Sequence, residues 1–185
     1  MQPAQFIQQA LGLARVAHFA TRVNTSVILA QWADETGWGG PDWSVLHNPG
    51  NVSLGGQSVS YLKLSLGVQA YIYTMMQPQY DSVRNASDWT DQCLALGESP
   101  WAASHYDNGN GPGSALVQII LENNLLEYDM TNIQTPPARV YVSIAVTPTG
   151  KGYYILDTTG EVYAFGDAQY FGGMTPDGQV NLPTK

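Results

Sequence analysis

The stretch from Ser26 to Gly40, Ser26-Val27-Ile28-Leu29-Ala30-Gln31-Trp32-Ala33-Asp34-Glu35-Thr36-Gly37-Trp38-Gly39-Gly40, constrains this chain most. It reads as a short buried helix that ends on a carboxylate. Thr25 or Ser26 suits its start as a cap. Gly37 suits a left-handed stop, and Pro41 prevents the helix from resuming. At 100° per residue, Ile28, Leu29, Trp32 and Ala33 share one apolar face. Glu35 falls at the edge of that face, whereas Asp34 points away from it. A carboxylate in the last turn faces the negative end of the helix dipole, and burial beside an indole disfavours its ionised form. Both effects raise its pKa, as a general acid working near neutral pH requires. An ordinary helix-end surface acid is the plainer reading of the helix taken alone.

Composition narrows the classes of function. The chain has 185 residues, 44% of them hydrophobic and only 12% charged. That suits one folded domain with a small appendage. The net charge of -8 argues against a nucleic-acid binder and against long-range attraction to anionic surfaces. No apolar run reaches the roughly 18 residues of a membrane span. Met1-Gln2-Pro3-Ala4-Gln5-Phe6 lacks the basic start and apolar run of a secretory signal, so synthesis in a host cytoplasm is expected. The single cysteine, Cys93, sits among apolar neighbours and reads as a buried small hydrophobe. His18, His47 and His105 show no metal-ligand spacing, so neither a metal nor another cofactor is expected. Abundant Tyr, Trp and Gly with few charges suit a neutral polymer such as a glycan.

Periodicity divides the chain. Residues 3–23 repeat apolar positions at three and four, as a helix does, and the helix of Glu35 follows. Glycines, asparagines and prolines punctuate residues 37–60, which predicts loops and a small hairpin flanking Gly55-Gly56-Gln57. Further helices are expected over 65–76, from a Ser87 or Asp88 cap to Leu96, and from a Ser114 cap over 115–124. Tyr71, Tyr73, Met75 and Met76 read as core. Residues 129–139 read as a linker. Strand periodicity follows in 140–146, 153–156 and 161–165, with a further short strand at 168–172. The expected fold class is α+β. A mostly α domain over 1–128 would carry a small hairpin lobe, and a small all-β module would occupy 140–185.

Several stretches, in order, resemble the bacterial N-acetylglucosaminidase family of autolysins, flagellar peptidoglycan hydrolases and phage lysins. Leu29-Ala30-Gln31-Trp32-Ala33-Asp34-Glu35-Thr36-Gly37-Trp38-Gly39 is similar to that family's AQ-x-x-x-E-[ST]-G-W-G helix. Asn48-Pro49-Gly50-Asn51-Val52-Ser53-Leu54 sits where the family turns into its hairpin. Leu66-Gly67-Val68-Gln69-Ala70-Tyr71 resembles a helix start, and Ala102-Ala103-Ser104-His105-Tyr106 resembles a stretch whose tyrosine lines the cleft. Residues 119–129 resemble the closing helix. The resemblance spans roughly residues 4–129. It implies a lysozyme-like fold, peptidoglycan glycan strands as partner, and Glu35 as catalytic acid. Asn48 and Asn51 would bind sugar or acetamido groups, although both also suit turn shaping. Tyr106, Trp38 and Trp101 would offer platforms for sugar faces, although the two tryptophans also suit the core.

One departure stands out. Many family members carry a second carboxylate in the hairpin region, yet no Asp or Glu occurs between Asp42 and Asp81. Glycosidases generally use two carboxylates, with substrate assistance as a recognised exception. Either Asp42 acts from the glycine-rich loop, or the substrate's own acetamido group does, or the domain turns over slowly.

Residues 147–172 resemble a glycine- and aromatic-rich repeat of actinobacterial surface proteins and their phages. The matching residues include Thr147-Pro148-Thr149-Gly150-Lys151-Gly152-Tyr153-Tyr154 and Phe165-Gly166-Asp167-Ala168. Repeat units rarely stand alone, and Val180-Asn181-Leu182-Pro183 looks like the start of another copy. The module is therefore expected to self-associate, to dock on a virion protein or to bind wall. Two functions follow. One is a phage lysin acting on the cell wall after release or from the virion. The other is a tail-tip, baseplate or wall-binding component with weak or no turnover.

Overall fold

The computed structural model describes residues 1–129, 141–157, 161–171, 173–174 and 180–181. The chain divides into two compact units, residues 1–130 and 131–185. The first is built from helices α1 (Pro3–Thr21), α2 (Thr25–Thr36), α3 (Pro41–Ser44), α4 (Leu64–Met75), α5 (Asp81–Arg84), α6 (Trp89–Glu98) and α7 (Ser114–Glu122). A hairpin of β1 (Ser53–Leu54) and β2 (Gln57–Ser58) interrupts them between α3 and α4. Short 3₁₀ turns cover Pro78–Tyr80 and Leu125–Tyr128. The architecture is α+β. Among the described residues, no helix is long and apolar enough to cross a membrane.

Helix α2 is the hub. It packs against α1, α3, α6, α7 and the 125–128 turn. Every residue from Thr25 to Ala33 is buried, so this helix is enclosed all round rather than on one face. Only its last turn reaches the surface. Asp34 is exposed and Glu35 is partly buried. Gly37 closes the helix at φ 57°, in the left-handed region where a side chain is disfavoured.

The start of α2 differs from the expected local cap. Asn24 is the N-cap and makes no side-chain cap bond. A distant carboxylate serves instead. Asp129 Oδ1 accepts from the Ser26 backbone N–H at 2.7 Å, and Asp129 Oδ2 accepts from the Ser26 hydroxyl. A negative group at a helix N-terminus satisfies orphan N–H donors and the dipole together. Asp129 was expected to open the linker. Here it is tied to α2, and the rest of that segment, 130–139, lies outside the described residues.

Other boundaries lie close to those expected. Helix α1 ends at Arg22, which adopts φ 64°. Asp88 caps α6, accepting from Thr90 and Asp91 N–H at 2.8 and 2.9 Å. Gly113 rather than Ser114 is the N-cap of α7. Tyr71 and Met75 are core residues, but Tyr73 is 72% and Met76 47% exposed. Helix α4 buries only one face, through Gly67, Val68, Tyr71 and Met75, and the other two fall off that stripe.

The second unit holds an antiparallel sheet of β3 (Tyr141–Val146), β4 (Gly152–Asp157) and β5 (Val162–Gly166), in that order. A two-stranded pair, β6 (Gly173–Met174) and β7 (Val180–Asn181), follows. The strand expected at 168–172 does not form over its described residues, 168–171. Its backbone is engaged elsewhere, for the Gln169 carbonyl accepts from the Tyr154 hydroxyl at 2.9 Å. Tyr153 and Phe165 are cross-strand partners whose rings stack at 4.8 Å. Asp167 accepts hydrogen bonds from Thr147, at 2.8 Å, and from Thr149. The threonines and aspartate of the repeat motif thus pin the turn between β3 and β4. The turn expected at 157–160 and the tail 182–183 lie largely outside the described residues.

Candidate active site

The site assembles on the last turn of α2. Tyr106 donates its hydroxyl hydrogen to Glu35 Oε1. The Asn51 side chain also acts on the same carboxylate, favouring its charged form. Burial pushes the Glu35 pKa up. The Tyr106 hydrogen bond and the Asn51 side chain oppose that shift, and the charges of Asp34 and Asp42 add to it. The net direction is upward, so the carboxyl holds its proton above the ordinary glutamate range.

Each partner is delivered by a strained or tightly packed loop. Asn51 adopts φ 47° and Tyr106 φ 48°, both left-handed. Such conformations persist only where their surroundings hold them, and they concentrate at functional sites. The Asn51 Oδ1 accepts from the Ser58 hydroxyl at 2.8 Å across the hairpin base. Tyr106 is 2% exposed. Its ring is therefore core, and its hydroxyl, not its face, is what it gives to the site. Burial and the adjacent Glu35 charge push the phenol pKa far up, so it stays a neutral donor.

Asn48 has a different place. It is fully buried, and its amide donates to the Val52 and Val59 carbonyls, both at 2.9 Å. Its Oδ1 accepts from Val52 N–H at 2.9 Å. With those groups engaged, Asn48 clamps the hairpin root rather than meeting a sugar. The Asn48→Ala variant leaves the Val52 N–H and the Val59 carbonyl without their partners, while the Val52 carbonyl keeps the Val59 N–H, for a loss of about 1–3 kcal/mol of stability. Denaturant unfolding, together with faster hydrogen exchange at the Val52 amide, checks this.

The remaining candidates lie around this centre. Asp42, on α3, is partly buried and its charge is felt at Glu35, with no hydrogen bond between them among the described residues. Trp38 is partly exposed at φ 58°, with its ring set edge-to-face on Phe6 at a centroid distance of 5.7 Å. Trp101 is partly exposed and donates from Nε1 to the Gly50 carbonyl at 3.0 Å. Its ring lies 5.2 Å from both Tyr71 and Tyr80. Trp101 thus supports the loop that carries Asn51. Neither tryptophan bonds to Glu35. A groove of about 620 Å³ between α1 and the 125–128 turn is lined by none of these residues. Among the described residues, no cluster of His, Cys, Asp or Glu is arranged to hold a metal ion.

Sequence reasoning missed Gln31 and the hydroxyl of Tyr71. Gln31 lies four residues before Glu35 and so on the same helical face, which was the available signal. Tyr71 was read only as core, and a buried phenol always raises the question of its hydrogen-bond partner.

No protein-family model matches the chain, and no curated protein does. Solved structures do. The glycoside hydrolase domain of FlgJ from Salmonella typhimurium superposes with a TM-score of 0.53 at 19% identity, covering 69% of this chain and 91% of that one. The catalytic domain of the autolysin Auto from Listeria monocytogenes gives the same score and identity, covering 69% of this chain and 87% of that one. The chain carries the lysozyme-like fold. In this lysozyme-like unit, α2 is the central buried helix, and Glu35 stands where that helix reaches solvent.

Proposed function

We propose that the lysozyme-like unit is a peptidoglycan hydrolase of N-acetylglucosaminidase type. One observation carries the reading. The carboxyl group of Glu35, at the exposed end of a buried helix, has its pKa raised chiefly by burial, while the neutral Tyr106 hydroxyl donates to it and Asn51 lies beside it. That is the environment of a general acid rather than of an ordinary surface glutamate.

The reaction follows from that group. Protonated Glu35 gives its hydrogen to the oxygen between two amino sugars. The bond from that oxygen to the anomeric carbon breaks, and positive charge builds on the carbon. The substrate's acetamido oxygen closes on it, or water attacks with Asp42 nearby, and a water proton finally returns to Glu35. Neutral Asn51 next to Glu35 favours acetamido assistance, because the hairpin offers no carboxylate there. Two of the solved structures that the unit resembles are a glycoside hydrolase domain and an autolysin catalytic domain, which supports the same class.

The resemblances in the sequence extend the reading to a phage lysin working on an actinobacterial wall, with the β module contacting wall, virion or a second copy. The second reading is a wall-binding virion component with little turnover, and the lack of any Asp or Glu between Asp42 and Asp81 is what favours it. Digestion of actinobacterial peptidoglycan followed by mass spectrometry of the new ends decides between them. The hydrolase produces reducing N-acetylglucosamine ends. Retention on the wall with no new ends supports the binding component instead.

A further inference from the structure

Gln31 stands one helical turn before Glu35 and is fully buried. Its amide bridges two tyrosines. The Tyr71 hydroxyl donates to Gln31 Oε1 at 2.9 Å, and Gln31 Nε2 donates to the Tyr106 hydroxyl oxygen at 3.1 Å. Tyr106 in turn donates to Glu35 Oε1. Every hydrogen in this chain points toward Glu35.

A chain of hydroxyls and one amide has a mirror arrangement with all its bonds reversed. In that arrangement, protonated Glu35 donates to Tyr106, Tyr106 donates to Gln31, and the Gln31 nitrogen donates to Tyr71. The Tyr71 hydroxyl hydrogen would then need an acceptor of its own. Tyr71 is 0% exposed, and among the described residues its hydroxyl bonds to Gln31 alone. The Trp32 and Trp101 rings pack at 5.3 and 5.2 Å from its own ring. Reversal would leave a buried hydroxyl hydrogen unsatisfied, which disfavours it.

The geometry points to Gln31 and Tyr71 as positioning residues that lock the chain in one direction, so that Tyr106 always donates to Glu35 Oε1 and the acid's own hydrogen is left on Oε2 for the glycosidic oxygen. This rests on the reading of Glu35 as the proton donor. Without the lock, Tyr106 becomes an acceptor and competes with the substrate for that hydrogen. The other groups that act on Glu35 are Asp34 on α2, Asp42 on α3 and Asn51 before the hairpin. None of them belongs to the chain.

Two variants test the lock, Tyr71→Phe and Gln31→Met, each with two readouts. One is titration of the Glu35 side-chain carboxyl by carbon-13 NMR, with Glu35→Gln identifying the resonance. The other is glycan release, resolved into kcat and KM. In both variants kcat falls about three- to tenfold, because only part of the population keeps the productive orientation. KM stays within about twofold. The Glu35 midpoint moves up, since Tyr106 can now also accept from the acid form, which stabilises that form relative to the carboxylate. A merely structural role predicts the opposite, because a loosened site admits water, relieves burial and moves the midpoint down. A midpoint in Tyr71→Phe that falls or stays put overturns the lock, whether or not Gln31→Met folds. The titration needs no turnover. An upward shift in a protein that releases no glycan therefore upholds the lock and removes the hydrolase reading.

Discussion

The Gly67→Ala variant is expected to lose about 3 kcal/mol of stability, because a β-carbon there has no space. It would lie 1.8 Å from the His47 carbonyl oxygen and 2.9 Å from both the His47 carbonyl carbon and Pro49 Cδ. Two of those atoms are backbone, so no rotamer change relieves the overlap. Helix α4 and the 47–51 loop must separate. Asn48 and Asn51 sit on that loop, and Tyr71 lies on α4, so the change disturbs both sides of Glu35 at once. Thermal melting of the variant is expected about 10 °C below wild type for a unit of this size. A melt within about 2 °C would mean that the helix does not rest on the loop this closely.

The Glu35→Gln variant is expected to lower glycan release by about a thousandfold, the scale that a positioned acid contributes. That corresponds to about 4 kcal/mol of barrier. The amide keeps the shape and still accepts from Tyr106, but it has no acidic hydrogen to give. Its effect on stability runs the other way. Native Glu35 holds its proton to higher pH than the unfolded chain does, so between the two titrations the native state binds more protons. Stability therefore falls as pH rises through that window. Removing the ionisable group makes the variant more stable than wild type at neutral pH. The gain disappears below about pH 4, where the carboxyl is protonated in both states. Melting curves across pH, on the same two proteins, measure both the gain and its loss.

Most of this site's frame was legible because local rules wrote it. The Glu35 helix, its Gly37 stop and the separation of Asp34 from Glu35 follow from helical spacing and one glycine. The loop and hairpin between α3 and α4 follow from Gly, Asn and Pro. What spacing could not supply was any contact made across the chain. Asp129 reaches α2 from 103 residues away, and Tyr106 reaches Glu35 from 71 away. Asn48 and Asn51 are the same residue type three positions apart, yet one clamps the hairpin and the other faces the acid. Only the fold separates them, through full burial of one and a left-handed backbone at the other. Gly67 shows the same limit. It stands in a helical run, and its reason is the carbonyl of a loop that arrives from elsewhere.

The most direct measurement is the pH dependence of reducing-end release from actinobacterial peptidoglycan, run on wild type and Glu35→Gln. Wild type should stay active above the ordinary glutamate range and then lose activity along a single basic limb, while the variant gives a low rate with no such limb. A variant with the wild-type rate and the same limb would contradict Glu35 as the proton donor.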